Sequence, residues 1–340
     1  MKIHILFPFQ EGPRGGGGNQ FLKALKYYWI SSGVYEQDIQ KADVVIFNSH
    51  QFLGKVIKAK KKFPNKVFIH RIDGPMRGYR PKEAFLDELI FKINKFVADG
   101  TVWQSKWSQK QNKALFPYEN SFETVIYNAP NEQVFNKKEK ADFKKLGKIK
   151  IIAVSWSSNP LKGFDIYKFL DENLNFNKYE MLFVGKSPVQ FKNIKVLGLM
   201  KHTDLSKQIK QSDIFISGSK IESCSNVLIE ALSCSLPCLA FNSSSNPEII
   251  GKGGELFSNT QELLVKIEKV ANNYNNYQKN VPVFSLSNIA KQYQELAIEI
   301  YDQAQSGFYK TREVGVMAEI SFSRGLVSSF FQKVLNKFKP

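Results

Sequence analysis

The chain has 340 residues, of which 43% are apolar, and 48 Lys and Arg stand against 31 Asp and Glu, a formal net charge of +17. This length is about twice that of a typical domain of roughly 150 residues and predicts two domains, each with enough apolar residues for a packed core. The positive charge favours a phosphorylated substrate, an anionic membrane surface or a nucleic acid as partner and does not choose among them.

Membrane-spanning and secreted classes are disfavoured. No stretch approaches the ~20 consecutive apolar residues that cross a bilayer, and the N-terminus runs straight into the strand-like "KIHILF" without a signal-peptide pattern. We therefore expect a cytosolic protein. Cys224, Cys234 and Cys238 are too few and too unevenly spaced for a disulfide framework or a zinc site, and we expect them to be reduced, buried thiols.

Strand-like runs alternate with helical periodicity in the first part of the chain. The runs are "KIHILF", "DVVIFN", "KVFIHRI", "KFVADGTVWQS" and "ETVIYNAP", with helical stretches at Phe21 to Ile30 and Phe52 to Lys62. Alternating strands and helices are typical of a parallel α/β sheet. We predict a Rossmann-like domain over residues 1–135.

A Lys-rich linker is expected at 136–148, followed by a second α/β series over 149–285. Its strands are "KIKIIAVS", "YEMLFVG", "IKVLG", "DIFISGS" and "LPCLAF". A C-terminal helix is expected at 286–306 and a basic tail at 307–340. The predicted fold class is α/β, with two parallel sheets facing across a cleft and ligands at the carboxyl ends of the strands.

Four consecutive glycines, Gly15 to Gly18, lie between the first strand and the first helix. They do not spell a dinucleotide loop, because Gln20 takes the last glycine position of G-x-G-x-x-G, and the chain has no G-x-x-x-x-G-K-[ST] loop. We expect Gly17 and Gly18 to let the backbone approach a ligand closely and to adopt positive φ, and Asn19 to start the helix.

The segment from Asp213 to Phe241, "DIFISGSKIESCSNVLIEALSCSLPCLAF", predicts a strand, a polar turn and a helix. The helix should start near Ser225, capped by Ser223, Ser225 or Asn226. Its first N–H groups are then available to hold phosphate oxygens.

Two carboxylates, Glu222 and Glu230, lie on either side of this predicted helix start. Carboxylates accept hydrogen bonds from sugar hydroxyls, and N–H groups suit phosphate, so this order matches a nucleotide sugar. The alternative from spacing alone is a solvated loop charge and a helix-surface residue.

The stretch "ESCSNVLIEALSCSLP" resembles the E-x7-E motif of the retaining glycosyltransferases of family 4, the group 1 transferases with the GT-B fold. Four further segments resemble the same family: "GGGGNQFLKAL", "VIYNAPNEQVF", "SWSSNPLKGFD" and "NPEIIGKGGELF". The resemblance covers roughly residues 1 to 305 and implies a GT-B fold with two Rossmann-like domains, the first binding the acceptor and the second the nucleotide sugar.

The resemblance also implies roles for residues. Glu222 would contact hydroxyls of the transferred sugar, Glu230 the ribose hydroxyls, and Lys162 the leaving diphosphate. The backbone of Ser223, Cys224, Ser225 and Asn226 would hold the diphosphate, and Gly17 and Gly18 would meet the donor or the acceptor opposite the donor site. For Lys162 the alternative is an ordinary surface lysine at a helix start.

One departure from the family concerns a second cation. Many relatives have an arginine about five residues before the lysine, where this chain has Ser157. The candidates to replace it are Arg71, Arg77, Lys186 and Lys220.

The family usually acts without a bound metal, and the chain has no D-x-D pair and no His/Cys cluster suited to a divalent ion, so no metal and no other cofactor is expected.

The acceptor side is predicted from "VFIHRIDGPMRGYR", where His70 or Asp73 would orient the acceptor hydroxyl or touch the donor sugar. For His70 a structural hydrogen-bonding role is an open alternative. The basic stretches Gly54 to Lys66 and Leu326 to Lys339 suit an anionic membrane surface and a lipid-linked acceptor, or they are a solvated face and a tail that is packed or disordered.

Three functions remain open. The leading hypothesis is a retaining glycosyltransferase that moves a hexose from a UDP-sugar in surface polysaccharide or lipopolysaccharide biosynthesis, with a cytoplasmic location at the inner face of the membrane. A sugar-nucleotide epimerase of the same architecture is the enzymatic alternative. A nucleic-acid-binding protein is suggested only by the charge, because no nucleic-acid recognition motif accompanies it, and we expect no such partner.

Overall fold

The computed structural model describes residues 1–10, 16–143 and 147–315, and these residues form two compact units. The first unit comprises Met1–Phe9, Leu25–Tyr127 and the residues from Ser287 on. The second comprises Gln10–Ala24 and Asn128–Leu286. The glycine-containing segment is therefore counted with the second unit.

Each unit is built on one parallel sheet. The first has strand order β1-β2-β3-β4-β5, and the second has order β11-β10-β9-β6-β7-β8. The strands of the first sheet are β1 Ile3–Leu6, β2 Val44–Asn48, β3 Val67–Ile72, β4 Gly100–Trp103 and β5 Phe122–Val125. Those of the second are β6 Ile149–Ser155, β7 Tyr179–Gly185, β8 Lys195–Gly198, β9 Ile214–Ser217, β10 Cys238–Phe241 and β11 Gly254–Phe257.

Helices follow most of the strands and form most of the crossovers that a parallel sheet requires. They are α1 Gly17–Ser31, α2 Leu53–Lys62, α3 Met76–Tyr79, α4 Phe85–Val97, α5 Lys106–Leu115, α6 Phe164–Asn173, α7 His202–Lys210, α8 Asn226–Ser233, α9 Asn246–Ile250, α10 Thr260–Asn272, α11 Tyr274–Lys279 and α12 Leu286–Gln305. Strands β2, β3, β4 and β9 are buried along their whole length, which is why they read as nearly continuous apolar runs.

The described segment after α12 is hydrogen-bonded to a buried ion pair of the first unit. Lys60 Nζ lies 2.9 Å from Asp99 Oδ2, and both side chains are fully buried. Asp99 also accepts hydrogen bonds from Tyr309 Oη at 3.1 Å and from the Arg312 backbone N–H at 2.7 Å. Because a buried carboxylate needs several donors, the segment around Tyr309 is part of the fold of this unit.

The two predicted α/β series and the parallel sheets are confirmed. Strand β11 was not predicted, since "GELF" is short and contains a polar residue. Helix α1 begins at Gly17 and not at Asn19; the Asn19 side chain instead exchanges two hydrogen bonds with the Gln10 backbone. The three cysteines are buried and form no disulfide with one another, as predicted.

Some predictions fall on residues outside the described ranges. They are the glycine Gly15, residues 144–146 of the predicted linker, and the part of the basic tail beyond Gly315, including the segment from Leu326 to Lys339. Among the residues that the structure describes, no helix is long and apolar enough to cross a membrane.

Candidate functional site

The start of helix α8 lies at the carboxyl end of β9, in the second unit. Ser225 occupies the N-cap position, yet its side chain makes no capping hydrogen bond. Within the described ranges, the buried Ser225 Oγ has no hydrogen-bond partner at all. The first N–H groups of an α-helix have no partner inside the helix. Ser225, one of the predicted capping residues, thus occupies the N-cap position, but its hydroxyl makes no hydrogen bond to the helix.

Glu222 lies in the turn between β9 and α8 and is held by three contacts. Its Oε1 is 2.5 Å from Lys162 Nζ, and each of the two side chains is 17% exposed. Its backbone N–H donates to Ser244 Oγ at 2.9 Å, and its carbonyl accepts from the Ser245 N–H at 3.2 Å. The structure therefore brings the predicted Glu222 and Lys162 together in a partly exposed ion pair.

Lys162 ends the 3-10 turn Pro160–Lys162, which is fitted tightly against the end of β9. Gly163, which follows, has φ 82°, and a Cβ there would overlap the carbonyl oxygen of Gly218. The Lys220 N–H donates to the Leu161 carbonyl at 2.8 Å. Only glycine fits this conformation and this close approach, so the turn and the β9 loop form one rigid support for the ion pair.

Glu230 lies in the second turn of α8 and is 6% exposed. Its Oε2 is buried and has no hydrogen-bond partner among the described residues. Removal from water disfavours the ionised carboxylate, and this desolvation raises the pKa of Glu230 to about 8. A buried carboxyl oxygen without a partner can accept a hydrogen bond from a ligand.

Two more buried polar atoms near this site lack partners in the described part of the chain. They are Ser245 Oγ and Asn246 Oδ1, at the start of α9. The Asn246 side-chain NH2 donates to the carbonyls of Ser219 and Phe241, which follow or end the neighbouring strands β9 and β10. Unsatisfied buried polar atoms are rare in folded proteins and need an explanation, and a ligand that supplies the missing partners is one such explanation.

The glycine segment meets the same helix start. A Cβ at Gly17 would overlap Asn226 Nδ2, whereas one at Gly18 would meet no atom within 4 Å. Neither residue has positive φ, so the expected conformational reason for the glycines is wrong, and the close approach at Gly17 is the physical reason for that residue. The role of both as ligand-binding residues stays a prediction.

Asn128 was missed by the sequence reasoning. It is 1% exposed, and its side-chain NH2 donates to Asn226 Oδ1 at 2.9 Å and to the Cys224 carbonyl at 3.4 Å. Its backbone N–H donates to Cys224 Sγ at 3.3 Å. The only sequence feature that indicates Asn128 is its position as a polar residue directly after the strand-like run "TVIY".

His70 lies within β3 in the first unit and is fully buried. Its Nε2 bonds the Ser49 carbonyl at 3.0 Å, and its Nδ1 lies 3.4 Å from Asn94 Nδ2. Desolvation lowers the pKa of His70 to about 3, so the ring is neutral at ordinary pH. This environment is that of a structural histidine, and we leave His70 out of the proposed catalytic groups.

Asp73 follows β3 and its side chain is 29% exposed. Its Oδ1 lies 3.5 Å from Nη1 of the buried Arg71, which also donates to Asn48 Oδ1. Asn112 donates to the Asp73 backbone carbonyl at 2.9 Å. The loop is thus held firmly, with part of the carboxylate left accessible.

Three of the four candidates for the second cation have carboxylate partners. Arg71 is near Asp73 as described, Arg77 Nε lies 3.0 Å from Asp87, and Lys220 Nζ lies 2.6 Å from Asp165. Lys186 is exposed and follows β7 at the carboxyl edge of the second sheet.

Within residues 1–10, 16–143 and 147–315, no three His, Cys, Asp or Glu side chains cluster in a way that could hold a metal ion.

Residues 190–281 match the family model for glycosyl transferases group 1. This match includes Glu222, Glu230 and all of α8. The resemblance to the group 1 glycosyltransferases, inferred from the sequence, is confirmed. A comparison with curated proteins gives no match.

Solved glycosyltransferase structures match the fold over most of the chain. Sucrose-phosphate synthase from Thermosynechococcus elongatus is 13% identical, and the match covers 89% of this chain and 100% of that chain at a TM-score of 0.67. Anabaena HepE in complex with UDP and glucose is 16% identical, with 87% and 98% coverage and a TM-score of 0.67. The catalytic domain of starch synthase IV from Arabidopsis thaliana, bound to ADP and acarbose, is 14% identical, with 85% and 79% coverage and a TM-score of 0.59.

The chain has the GT-B fold of these solved glycosyltransferases. The likeness to the solved structures establishes the architecture, and the family model places the group 1 domain in the second unit. Within this fold, the predicted Lys162, Glu222, Glu230 and the α8 start lie in one unit with Gly17. His70 and Asp73 belong to the other unit.

Proposed function

We propose that the protein is a retaining glycosyltransferase that moves a hexose from a UDP-sugar to a glycan or lipid-linked acceptor in surface polysaccharide or lipopolysaccharide biosynthesis. The observation that carries this proposal is the position of Glu222 and Glu230 on either side of the α8 start, inside the segment that matches the family model. The solved relatives support the donor class, since HepE was crystallised with UDP and glucose and starch synthase IV with ADP.

The diphosphate is proposed to bind at the start of α8. The backbone N–H groups of Ser223 to Asn226 and the unpartnered Ser225 hydroxyl supply donors, and the helix dipole favours negative charge there. The Lys162 ammonium carries three N–H donors, so it can turn one toward the diphosphate while keeping Glu222 in place.

The two carboxylates are proposed to bind the two sugars of the donor. Glu222 accepts hydrogen bonds from hydroxyls of the hexose, and Glu230 accepts from the ribose hydroxyls. The buried Oε2 of Glu230, which lacks a partner among the described residues, gains one when the ribose arrives. Because these hydrogen bonds favour the ionised form, donor binding should lower the pKa of Glu230 and release a proton near neutral pH.

In the proposed reaction, the bond between the anomeric carbon and the leaving diphosphate oxygen breaks, and the acceptor oxygen bonds to that carbon from the same face. The acceptor proton passes to the leaving diphosphate oxygen. Amide N–H groups and Lys162 stabilise the charge that develops on the diphosphate. We propose Lys186 as the second cation in place of the family's arginine, and turnover without a bound metal ion or other cofactor.

The acceptor is proposed to bind to the first unit, with Asp73 orienting its hydroxyl. The exposed lysines of α2 favour an anionic surface beside that unit. A cytoplasmic enzyme that rests on the inner face of the cell membrane would meet a lipid-linked acceptor there.

The proposal is tested by incubating the protein with UDP-hexoses and glycan or lipid-linked acceptors. We expect a glycoside whose anomeric configuration is that of the donor, with turnover that persists in EDTA. Glu222→Ala should lower kcat/KM by about 100-fold or more. An epimerised nucleotide sugar without glycoside would contradict the transferase, and strict dependence on added magnesium would contradict the metal-free reaction.

A further inference from the structure

Asn128 is tied to both sides of the α8 N-cap. Its side-chain NH2 donates to the carbonyl of Cys224, just before Ser225, and to Oδ1 of Asn226, just after it. The backbone N–H of Asn128 adds a hydrogen bond to Cys224 Sγ. One buried residue therefore forms hydrogen bonds with both neighbours of the N-cap residue.

These hydrogen bonds also determine how the Asn226 carboxamide is turned. Its Oδ1 is the acceptor from Asn128 at 2.9 Å, so its NH2 group points the other way. On that side lies Gly17, where a Cβ would overlap Asn226 Nδ2. Asn226 is partly exposed, and the lack of a side chain at Gly17 lets its backbone lie close to this NH2 group.

We propose that Asn128 is a positioning residue for the diphosphate: it orients the Asn226 carboxamide so that its NH2 group joins the N–H donors at the start of α8. This inference rests on the proposed function, because it concerns the same site. The sequence reasoning assigned only the backbone of Asn226 to the diphosphate, so the side-chain donor and the residue that orients it are both additional.

The substitution Asn128→Asp tests the orientation directly. A carboxylate at this position accepts hydrogen bonds and cannot donate them, so the Asn226 carboxamide would turn its NH2 group toward residue 128. We expect UDP affinity to fall about 10- to 100-fold, in line with the loss of one or two hydrogen bonds to a charged ligand. Affinity for uridine, which has no phosphate, should change less than about threefold.

The double variant Asn128→Asp with Asn226→Ala separates positioning from general damage. If Asn128 acts through the Asn226 side chain, Asn128→Asp should weaken UDP binding far less in the Asn226→Ala background, so that the two effects are not additive. The control is Asn94→Ala in the first unit, where an asparagine that is 2% exposed donates to Thr101 Oγ1 at 2.8 Å. This control should lose thermal stability without losing UDP affinity.

Binding is measured by calorimetry on the full-length chain with UDP and with uridine. Equal losses of UDP and uridine affinity in Asn128→Asp, or fully additive effects in the double variant, would overturn the inference and leave the proposed function standing. If the wild-type chain binds neither UDP nor ADP, the proposed function fails first and the inference fails with it.

Discussion

Glu230 and His70 are both buried titratable side chains, and their hydrogen bonding separates their roles. Both ring nitrogens of His70 have partners, at 3.0 Å and 3.4 Å. Glu230 Oε2 has none among the described residues. A satisfied buried group stabilises the fold, whereas an unsatisfied one costs free energy unless a ligand supplies its partner. This difference favours Glu230 over His70 as a ligand-binding residue, and both roles stay predictions.

Replacing Glu230 with Gln should make the unliganded protein more stable and weaken UDP binding. The folded-state pKa of about 8 lies above the ordinary value of 4.5, so ionisation costs the folded state. That cost is absent below pH 4.5, grows as the pH rises toward 8 and is constant above it. We expect Glu230→Gln to raise the free energy of unfolding by about 3 kcal/mol near pH 7 and by less than about 1 kcal/mol near pH 5.

Urea denaturation of both forms at the two pH values measures this effect. The matched control is Glu172→Gln, at an exposed position of α6, which should change the free energy of unfolding by less than about 0.5 kcal/mol. Equal stability of wild type and Glu230→Gln near pH 7 would mean that the Glu230 carboxyl ionises without cost, contrary to its burial.

Sequence reasoning reached Glu222, Glu230 and Lys162 because their spacing and neighbours resemble a family motif. It missed Asn128, since its partners Cys224 and Asn226 are about a hundred positions away in the chain. Sequence alone also does not reveal that His70, a candidate acceptor-site residue, is fully buried within β3. Both observations depend on hydrogen bonds between residues that are distant in the chain.

At the scale of elements, three neighbouring strands assemble the candidate donor site. The turn that carries Lys162 follows β6, the Glu222 loop follows β9, and the Ser244 loop follows β10. Strand order places β6 and β10 on the two sides of β9, so their carboxyl ends lie side by side. The alternation of strands and helices in the sequence predicts this sheet edge. The close packing of the Lys162 turn against Gly218 is not predictable from it.

Gly163→Ala should displace the Lys162 turn. The new Cβ would face both a positive φ and the Gly218 carbonyl, so we expect a loss of about 2 kcal/mol or more in stability and a fall in kcat/KM of about tenfold or more. Thermal denaturation and steady-state kinetics measure the two effects.

Gly33→Ala is the control for the backbone conformation alone. Gly33 has φ 70° and open space where a Cβ would be, so it should lose only about 1 kcal/mol and keep its activity. If Gly163→Ala behaved like Gly33→Ala, the close packing of the Lys162 turn would have no functional importance.

At the scale of the whole molecule, helix α2 is a concentration of positive charge among the described residues. Helix α2 carries Lys55, Lys58, Lys61 and Lys62 on its exposed positions, while Lys60 is buried beside Asp99. The sequence predicted both the two α/β units and this basic helix. It did not predict that Gln10–Ala24 would be counted with the second unit, because that depends on packing.

Charge reversal on α2 tests the proposed membrane surface. We expect the triple variant Lys58→Glu, Lys61→Glu and Lys62→Glu to bind phosphatidylglycerol vesicles about 100-fold more weakly than wild type, at about 1 kcal/mol per lysine. Co-sedimentation at low and high salt measures the binding. Reversal of Lys168, Lys252 and Lys279, which are exposed in the second unit, should have a smaller effect, and an equal effect would refute a specific role for α2.

The hydrogen bonds of Tyr309 and Arg312 to Asp99 have a practical consequence for anyone who shortens this chain. A truncated protein that stops after α12 would lack Tyr309 and Arg312, which donate two hydrogen bonds to the fully buried Asp99 carboxylate. Such a fragment should express poorly or aggregate, although every strand and helix of its sheets is retained. The useful boundary for truncation therefore lies beyond Arg312.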